Sequence, residues 1–175
     1  MQAHATTMTQ LASAQQQFHE LLEQHRGIVF KVANSWCRDP HDRADLAQDI
    51  VTQGWLAFPR YDASRSFSTW LYRIALNVAI SFRRSASQHE RQTVAFDDDL
   101  HDTAAEGVNV EGTERVRALY RCIAMLDPLN RALLLLYLDE HSQREIAEIL
   151  GISETNVATK IGRLKERLRN DMSEA

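Results

Sequence analysis

The chain has 175 residues, 44% hydrophobic and 25% charged, with a net charge of −4, six Gly and three Pro. That is mass for one domain or two small ones, each with its own core, and the sparse punctuation favours helices. No apolar run reaches the roughly 18 residues that span a membrane. The first residues lack the basic-then-apolar order of a secretory signal, and Cys37 and Cys122 are too few and too distant for a disulfide framework, so a reduced, cytoplasmic setting is expected.

Residues 1–14 read as a flexible lead-in. Phe18, Leu21, Leu22, Ile28, Val29, Val32 and Trp36 mark an amphipathic helix from about Gln15 to Cys37. Asp39-Pro40 opens a second helix, with Asp as N-cap and Pro in the first helical position. It carries Leu46, Ala47, Ile50, Val51, Trp55 and Phe58 and ends before Pro59. A polar loop, Arg60 to Ser66, leads into a third helix marked by Phe67, Trp70, Leu71, Ile74, Ala75, Val78, Ala79 and Phe82. Phe82 is assigned to the core, and Arg83, Arg84 and a polar run follow. Cys37 and His41 have the spacing of half a metal site. Pro40 sets a helix boundary between them, however, and no second pair completes a tetrahedral set. With no nucleophile turn and no Gly-rich phosphate loop, neither an enzyme nor a cofactor is expected.

Composition then shifts. Between Gln92 and Glu114 stand seven acids (Asp97, Asp98, Asp99, Asp102, Glu106, Glu111, Glu114) and no Lys or Arg, which reads as a flexible acidic linker over 92–113. A second domain, 114–175, starts with a helix carrying Val116, Leu119, Tyr120, Ile123 and Leu126. Asp127-Pro128 opens the next, largely buried helix, with Leu133 to Leu136 and Leu138. Ser142 and Glu145 have capping-box spacing; Ile146, Ala147 and Leu150 form an apolar stripe; Gly151 sits where a left-handed residue ends a helix. Ser153 caps a last helix with Val157, Ile161, Leu164 and Leu168 facing inward. This is a helix-turn-helix, and its second helix is basic: Lys160, Arg163, Lys165, Arg167 and Arg169 against Glu154 and Glu166. No alternating β-branched runs occur, so the fold class is all-α: two small helical domains joined by the linker.

Charge is segregated, and three regions carry chemistry. Between Ala63 and Arg91 five arginines meet one acid beside aromatic residues. That is the equipment for stacking single-stranded bases and holding phosphates. In the last helix Glu154, Thr155, Asn156, Thr159, Lys160 and Arg163 are left for a major groove, with Arg167 and Arg169 placed for phosphate or solvent. Carboxylates Asp42, Asp45 and Asp49 line the second helix; they suit a basic partner, or, for the first two, complement the helix dipole.

The stretch DRADLAQDIVTQGWLAFPRYDASRSFSTWLYRIALNVAISFRRS resembles region 2 of bacterial extracytoplasmic-function sigma factors of the sigma-70 family. LDPLNRALLLLYLDEHSQREIAEILGISETNVATKIGRLKERLR is similar to their region 4. The resemblance implies a non-catalytic factor that binds core RNA polymerase through its β′ clamp helices and β flap, and binds promoter DNA at the −10 and −35 elements. An anti-sigma factor is a further partner it allows. Asp42, Asp45, Leu46, Gln48 and Asp49 match the family's clamp-binding motif, with Ala44 where an acid is usual. Arg60, Tyr61, Ser64, Arg65, Phe67, Trp70, Arg73, Asn77, Arg83 and Arg84 fall where the family holds and opens the −10 element. Phe67, Trp70 and Ile74 equally fit core spacing. Glu154, Thr155, Asn156, Thr159, Lys160, Arg163 and Arg167 fall where it reads the −35 element. The linker corresponds to a segment in the polymerase's RNA-exit path; mimic of the transcript's charge, passive tether and mask over the basic helices are its three readings. Two other classes compete: a self-standing helix-turn-helix regulator with an N-terminal dimerisation or sensing domain, and a helical protein-binding adaptor.

Overall fold

The computed structural model describes residues 2–92, 123 and 125–173, with side chains over 12–83, 123 and 125–170. All regular elements among them are helices: α1 (Gln2–Trp36), α2 (Pro40–Ala57), a 3-10 turn (Phe58–Arg60), α3 (Phe67–Gln92), α4 (Pro128–Leu138), α5 (Gln143–Leu150) and α6 (Glu154–Ser173). The chain divides after Arg83 into two compact units. Of the linker expected over 92–113, all but Gln92, which ends α3, lies outside the described residues, as do the helix expected over Val116–Tyr120 and Cys122.

In the first unit, α1 and α2 pack against each other through a corner set by local chemistry. The Asp39 carboxylate accepts from the backbone N–H groups of His41 (2.7 Å) and Asp42 (3.1 Å), two of the orphan donors of the α2 N-terminus. Those bonds, Asp42's first, hold the Asp39 carboxyl below its ordinary pKa. Arg43 reaches back to donate to the carbonyls of Cys37 and Arg38, tying down the end of α1. Cys37 is buried and His41 exposed. The core beneath is Val32, Ala33, Leu46, Ile50, Leu71, Ala75, Leu76 and Ala79, each at most 1% exposed. Gly54 lies under the Phe18 ring; a Cβ there would stand 3.3 Å from Phe18 Cζ, tighter than most real contacts. Gly54 is therefore the residue that lets α1 and α2 close.

Several expectations shift. α1 begins at Gln2, thirteen residues before Gln15, and α3 runs on through the polar run to Gln92. In α3 the buried positions are Phe67, Leu71, Tyr72, Ala75, Leu76 and Ala79. The stripe is thus turned toward Tyr72 and Leu76, leaving Ile74, Val78 and Phe82 half-buried. Phe82 is not core. It lies on the edge of the stripe, beyond Ala79, the last fully enclosed residue.

In the second unit α4, α5 and α6 pack pairwise. Leu133, Leu136, Ile146 and Val157 are fully enclosed, and Leu126, Leu134 and Leu164 form a cluster joined by Ile123 and Leu168. Asp127 caps α4 through the Asn130 N–H at 3.1 Å. Leu138, expected inside, is 60% exposed on the last turn of α4, and Ile149 takes the buried place expected of Leu150.

Two chain reversals frame the helix-turn-helix. Both use the same closing bond, in which an N–H just beyond the helix end reaches back five residues. At the end of α4, His141 N donates to Leu136 O (3.1 Å), with Glu140 at φ +61°. At the end of α5, Ile152 N donates to Ala147 O (3.1 Å), with Gly151 at φ +68°. α5 starts on a full capping box: Glu145 N donates to Ser142 Oγ (3.2 Å) and Ser142 N donates to Glu145 Oε2 (2.8 Å). Ser153 Oγ accepts from Asn156 N at the start of α6 (3.2 Å).

Candidate nucleic-acid interface

An aromatic train runs from the first unit's core to its surface. Phe18 packs edge-on to Phe58 (5.1 Å between centroids). Phe58 lies near-parallel to Trp55 (6.5 Å, 18°) and to Tyr61 (5.8 Å, 17°). Tyr61 then meets Phe67 edge-on (5.4 Å) and Trp70 at a tilt (5.1 Å). Phe18, Phe58 and Phe67 are buried; Trp55, Tyr61 and Trp70 are half-buried and present part of their rings. Each such pair adds about 0.5–1.5 kcal/mol beyond simple burial, so the outer rings are braced by the inner ones. Phe67, 5% exposed and packed at a tilt against Trp70 and the His25 imidazole (5.3 Å), offers no free face and serves to position its neighbours. His25, Phe18 and Trp55 were not picked out as supports for this surface. Their aromatic character was visible in the sequence, but their meeting depends on how α1 and α2 pack.

The loop beside the rings is ordered by its own side chains. Tyr61 Oη donates to Arg65 O (2.7 Å), and Arg65 N donates to Asp62 O (3.0 Å). The Asp62 carboxylate accepts from Ser64 Oγ (2.7 Å) and Ser64 N (2.9 Å). The Ser64 hydroxyl first, then its N–H and nearby Arg65, hold the Asp62 carboxyl below its usual range. Ser64 therefore braces the turn, and Arg65 is held near Asp62 (3.9 Å). Around this loop Arg60, Arg73, Asn77 and Arg83 are exposed, with Trp70, Arg73 and Asn77 on one face of α3. The Arg84 side chain lies outside the described residues.

On α2, Asp42, Asp45, Gln48 and Asp49 are exposed together, while Leu46 is fully buried and anchors the helix from beneath. Neither Asp45 nor Asp49 has a cationic partner among the described residues, so the acidic face is electrostatically unspent.

In the second unit the α6 seam is Val157, Ile161 and Leu164, buried. Glu154, Thr155, Asn156, Thr159, Arg163, Arg167 and Arg169 are exposed and Lys160 half-buried. The side chains of Asn156, Lys160 and Arg163 have no hydrogen-bond or ionic partner among the described residues, whereas Arg167 and Arg169 are engaged within the protein. Lys165 instead lies over the Tyr137 ring, 4.3 Å from its centroid, tying α6 to α4. The sequence held no periodic signal for that contact.

No helix of the described residues is long and apolar enough to cross a membrane. The Sigma-70 region 2 family model matches residues 21–89 and the Sigma-70, region 4 model residues 116–168. The chain is 30% identical over 171 residues to the RNA polymerase sigma factor CnrH of Cupriavidus metallidurans, covering 91% of this chain and 88% of that one. It is 29% identical over 168 residues to the ECF RNA polymerase sigma factor SigW of Bacillus subtilis, covering 90% of each. A solved structure of CnrH in complex with the cytosolic domain of CnrY shares the fold, with a TM-score of 0.65 at 24% identity over 93% of this chain and 94% of that one. So does the sigma factor RpoE in complex with the anti-sigma factor NepR from Bartonella quintana, with a TM-score of 0.66 at 17% identity over 91% of this chain and 96% of that one. The chain belongs to the extracytoplasmic-function sigma factors of the sigma-70 family, and as such it is a non-enzymatic initiation factor that binds RNA polymerase and directs it to promoters.

Proposed function

We propose a division of labour among the surfaces: the α2 acids dock on the β′ clamp helices of core polymerase, the Tyr61–Ser66 loop and α3 hold and open the −10 element, and α6 reads the −35 element. The second unit rests on the β flap, residues 92–113 tether the two units, and the factor acts in the cytoplasm. The observation that carries this reading is the separation of charge: Asp45 and Asp49 without cationic partners on α2, exposed Arg60 and Arg73 beside the half-buried Tyr61 and Trp70 rings, and Lys160 and Arg163 without ionic partners on α6 among the described residues. An acidic face suits a basic partner helix and is useless against phosphate. Rings plus arginines suit melted bases, and short donors on a helix suit a major groove. A self-standing operator-binding regulator has no use for the first two surfaces. The solved relatives bound to CnrY and to an anti-sigma factor support an anti-sigma partner here as well.

Asp45→Arg with Asp49→Arg should weaken core-polymerase capture at least tenfold, mainly through slower association, while helicity by circular dichroism stays unchanged. Lys160→Ala or Arg163→Ala should weaken −35 binding by roughly 1–3 kcal/mol where a base edge is read. Tyr61→Ala or Arg73→Ala should instead slow strand opening, seen as lost permanganate reactivity on a duplex promoter and its recovery on a premelted one. Premelting that rescues both classes equally would contradict the division.

A further inference from the structure

We propose that Thr159 reads a thymine: its γ-methyl packs on the 5-methyl of a thymine in the upstream promoter element. The inference rests on α6 lying in the major groove and goes on to say which base feature meets the centre of the helix. Advancing 100° per residue, the buried Val157, Ile161 and Leu164 lie about 160°, 200° and 140° round from Thr159. Thr159 therefore stands opposite the packed seam, at the middle of the outward face, with Thr155 one turn before it and Arg163 one turn after. Its hydroxyl proton is already used: Oγ1 donates to the Thr155 carbonyl at 2.9 Å. Purine N7, guanine O6 and thymine O4 are acceptors and need a donor, which Thr159 no longer has. What it turns outward is the methyl, and thymine alone among the bases carries a methyl in the major groove. The neighbours do not crowd it. Ala158 is short, and space above Gly162 is open, so the helix can come close to the base edges while Asn156, Lys160 and Arg163 supply hydrogen bonds at its flanks.

The test uses holoenzyme reconstituted from core polymerase and the full chain, and duplex promoters selected by it from a library randomised in the upstream element. Each thymine of the selected element is replaced in turn by deoxyuridine, which removes only the methyl. For wild type, one replacement should lower affinity about 4-fold, the worth of one buried carbon. Thr159→Val keeps methyls and loses the hydroxyl, and should retain that discrimination. Thr159→Ser keeps the hydroxyl and loses the methyl, and should bind thymine and uracil alike. The proposal is overturned if no single methyl matters to wild type, a comparison that needs no variant. It is equally overturned if Thr159→Ser discriminates as wild type does, or if Thr159→Val loses discrimination, since sensitivity to the thymine methyl would then depend on the hydroxyl and not on the γ-methyl. Lys160→Ala and Arg163→Ala separate the two levels. If neither weakens promoter binding, α6 is not in the groove; if they do while every methyl is silent, only the thymine reading falls.

Discussion

Glu140 and Gly151 occupy equivalent positions in two equivalent turns, both left-handed, both closed by a bond reaching back five residues. They differ in what the backbone asks of the side chain. A Cβ in this conformation costs roughly 1–2 kcal/mol, while glycine loses more chain entropy on folding, roughly 0.5–1 kcal/mol. The first effect is the larger, so Glu140→Gly should stabilise the second unit by about 0.5–1 kcal/mol and Gly151→Ala should destabilise it by at least as much. Nothing lies within 4 Å of a Cβ at Gly151, so that loss would report strain and not a clash. Urea unfolding of both variants checks the signs. The same reasoning reverses inside helices. Gly27 and Gly162 sit within α1 and α6 with open space where a Cβ would go, so each change to Ala should add about 0.5–1 kcal/mol. Only Gly162→Ala should also weaken binding to the upstream element, because its methyl fills space on the face proposed to meet DNA. Equal binding by wild type and Gly162→Ala would mean that face stands off the groove.

Among the elements, α5 depends most on its ends, being eight residues long and too short to hold itself helical by propensity. Its capping box supplies the missing partners, and Ser142→Ala should cost about 1 kcal/mol. The Glu145 carboxyl is held below its ordinary pKa by the Ser142 hydroxyl, then by the Ser142 N–H, with His141 adding attraction. A carboxyl depressed by folding contributes stability above its unfolded pKa, near 4.3. That contribution is lost as pH falls through the lower folded value. Helicity of the second unit should therefore hold through neutral pH and weaken below about pH 4. Glu145→Gln, which can still accept from the Ser142 N–H, should flatten this dependence. A pH profile identical in wild type and Glu145→Gln would show that another carboxylate sets it. These ends were legible in the sequence, because Ser142, Glu145, Gly151, Asp39 and Pro40 act on backbone groups within a few residues. The α3 stripe was less legible. Phe82, Ile74 and Val78 have the right period, yet whether Val78 or Leu76 faces inward is decided by what packs against α3, which periodicity within one helix does not contain. For the same reason the Lys165–Tyr137 contact and the bracing of Tyr61 by Phe58 and Phe67 emerged only from packing, while the exposed acids of α2 and the free cations of α6 could be named from spacing alone.

At the scale of the molecule, the proposed function makes promoter selection an addition of two modest contacts. Neither the free cations of α6 nor the rings and arginines of α3 amount to the surface of a tight independent DNA binder. The chain gains by making the second contact intramolecular once the first has formed. If residues 92–113 act as the proposed tether, a connection of that length supplies an effective concentration of about a millimolar, which falls roughly as the −3/2 power of its length. The residues between Gln92 and Glu114, with seven carboxylates and no Lys or Arg, suit such a connection because they repel each other and the DNA. Two manipulations separate length from continuity. Ten Gly/Ser residues inserted between Asp99 and Asp102 should lower promoter-directed initiation only about twofold. A specific protease site at the same place, cut after holoenzyme has formed and then diluted to nanomolar concentration, should lower it by more than tenfold, since the second unit must then return from bulk solution. Initiation on a promoter lacking its upstream element should be insensitive to the cut. If cleavage leaves full promoters as active as before, the two units are held on the polymerase by their own contacts. The segment between them would then have to act through its charge, which replacing Asp97, Asp98, Asp99 and Asp102 by Asn at unchanged length would expose as altered release of short transcripts.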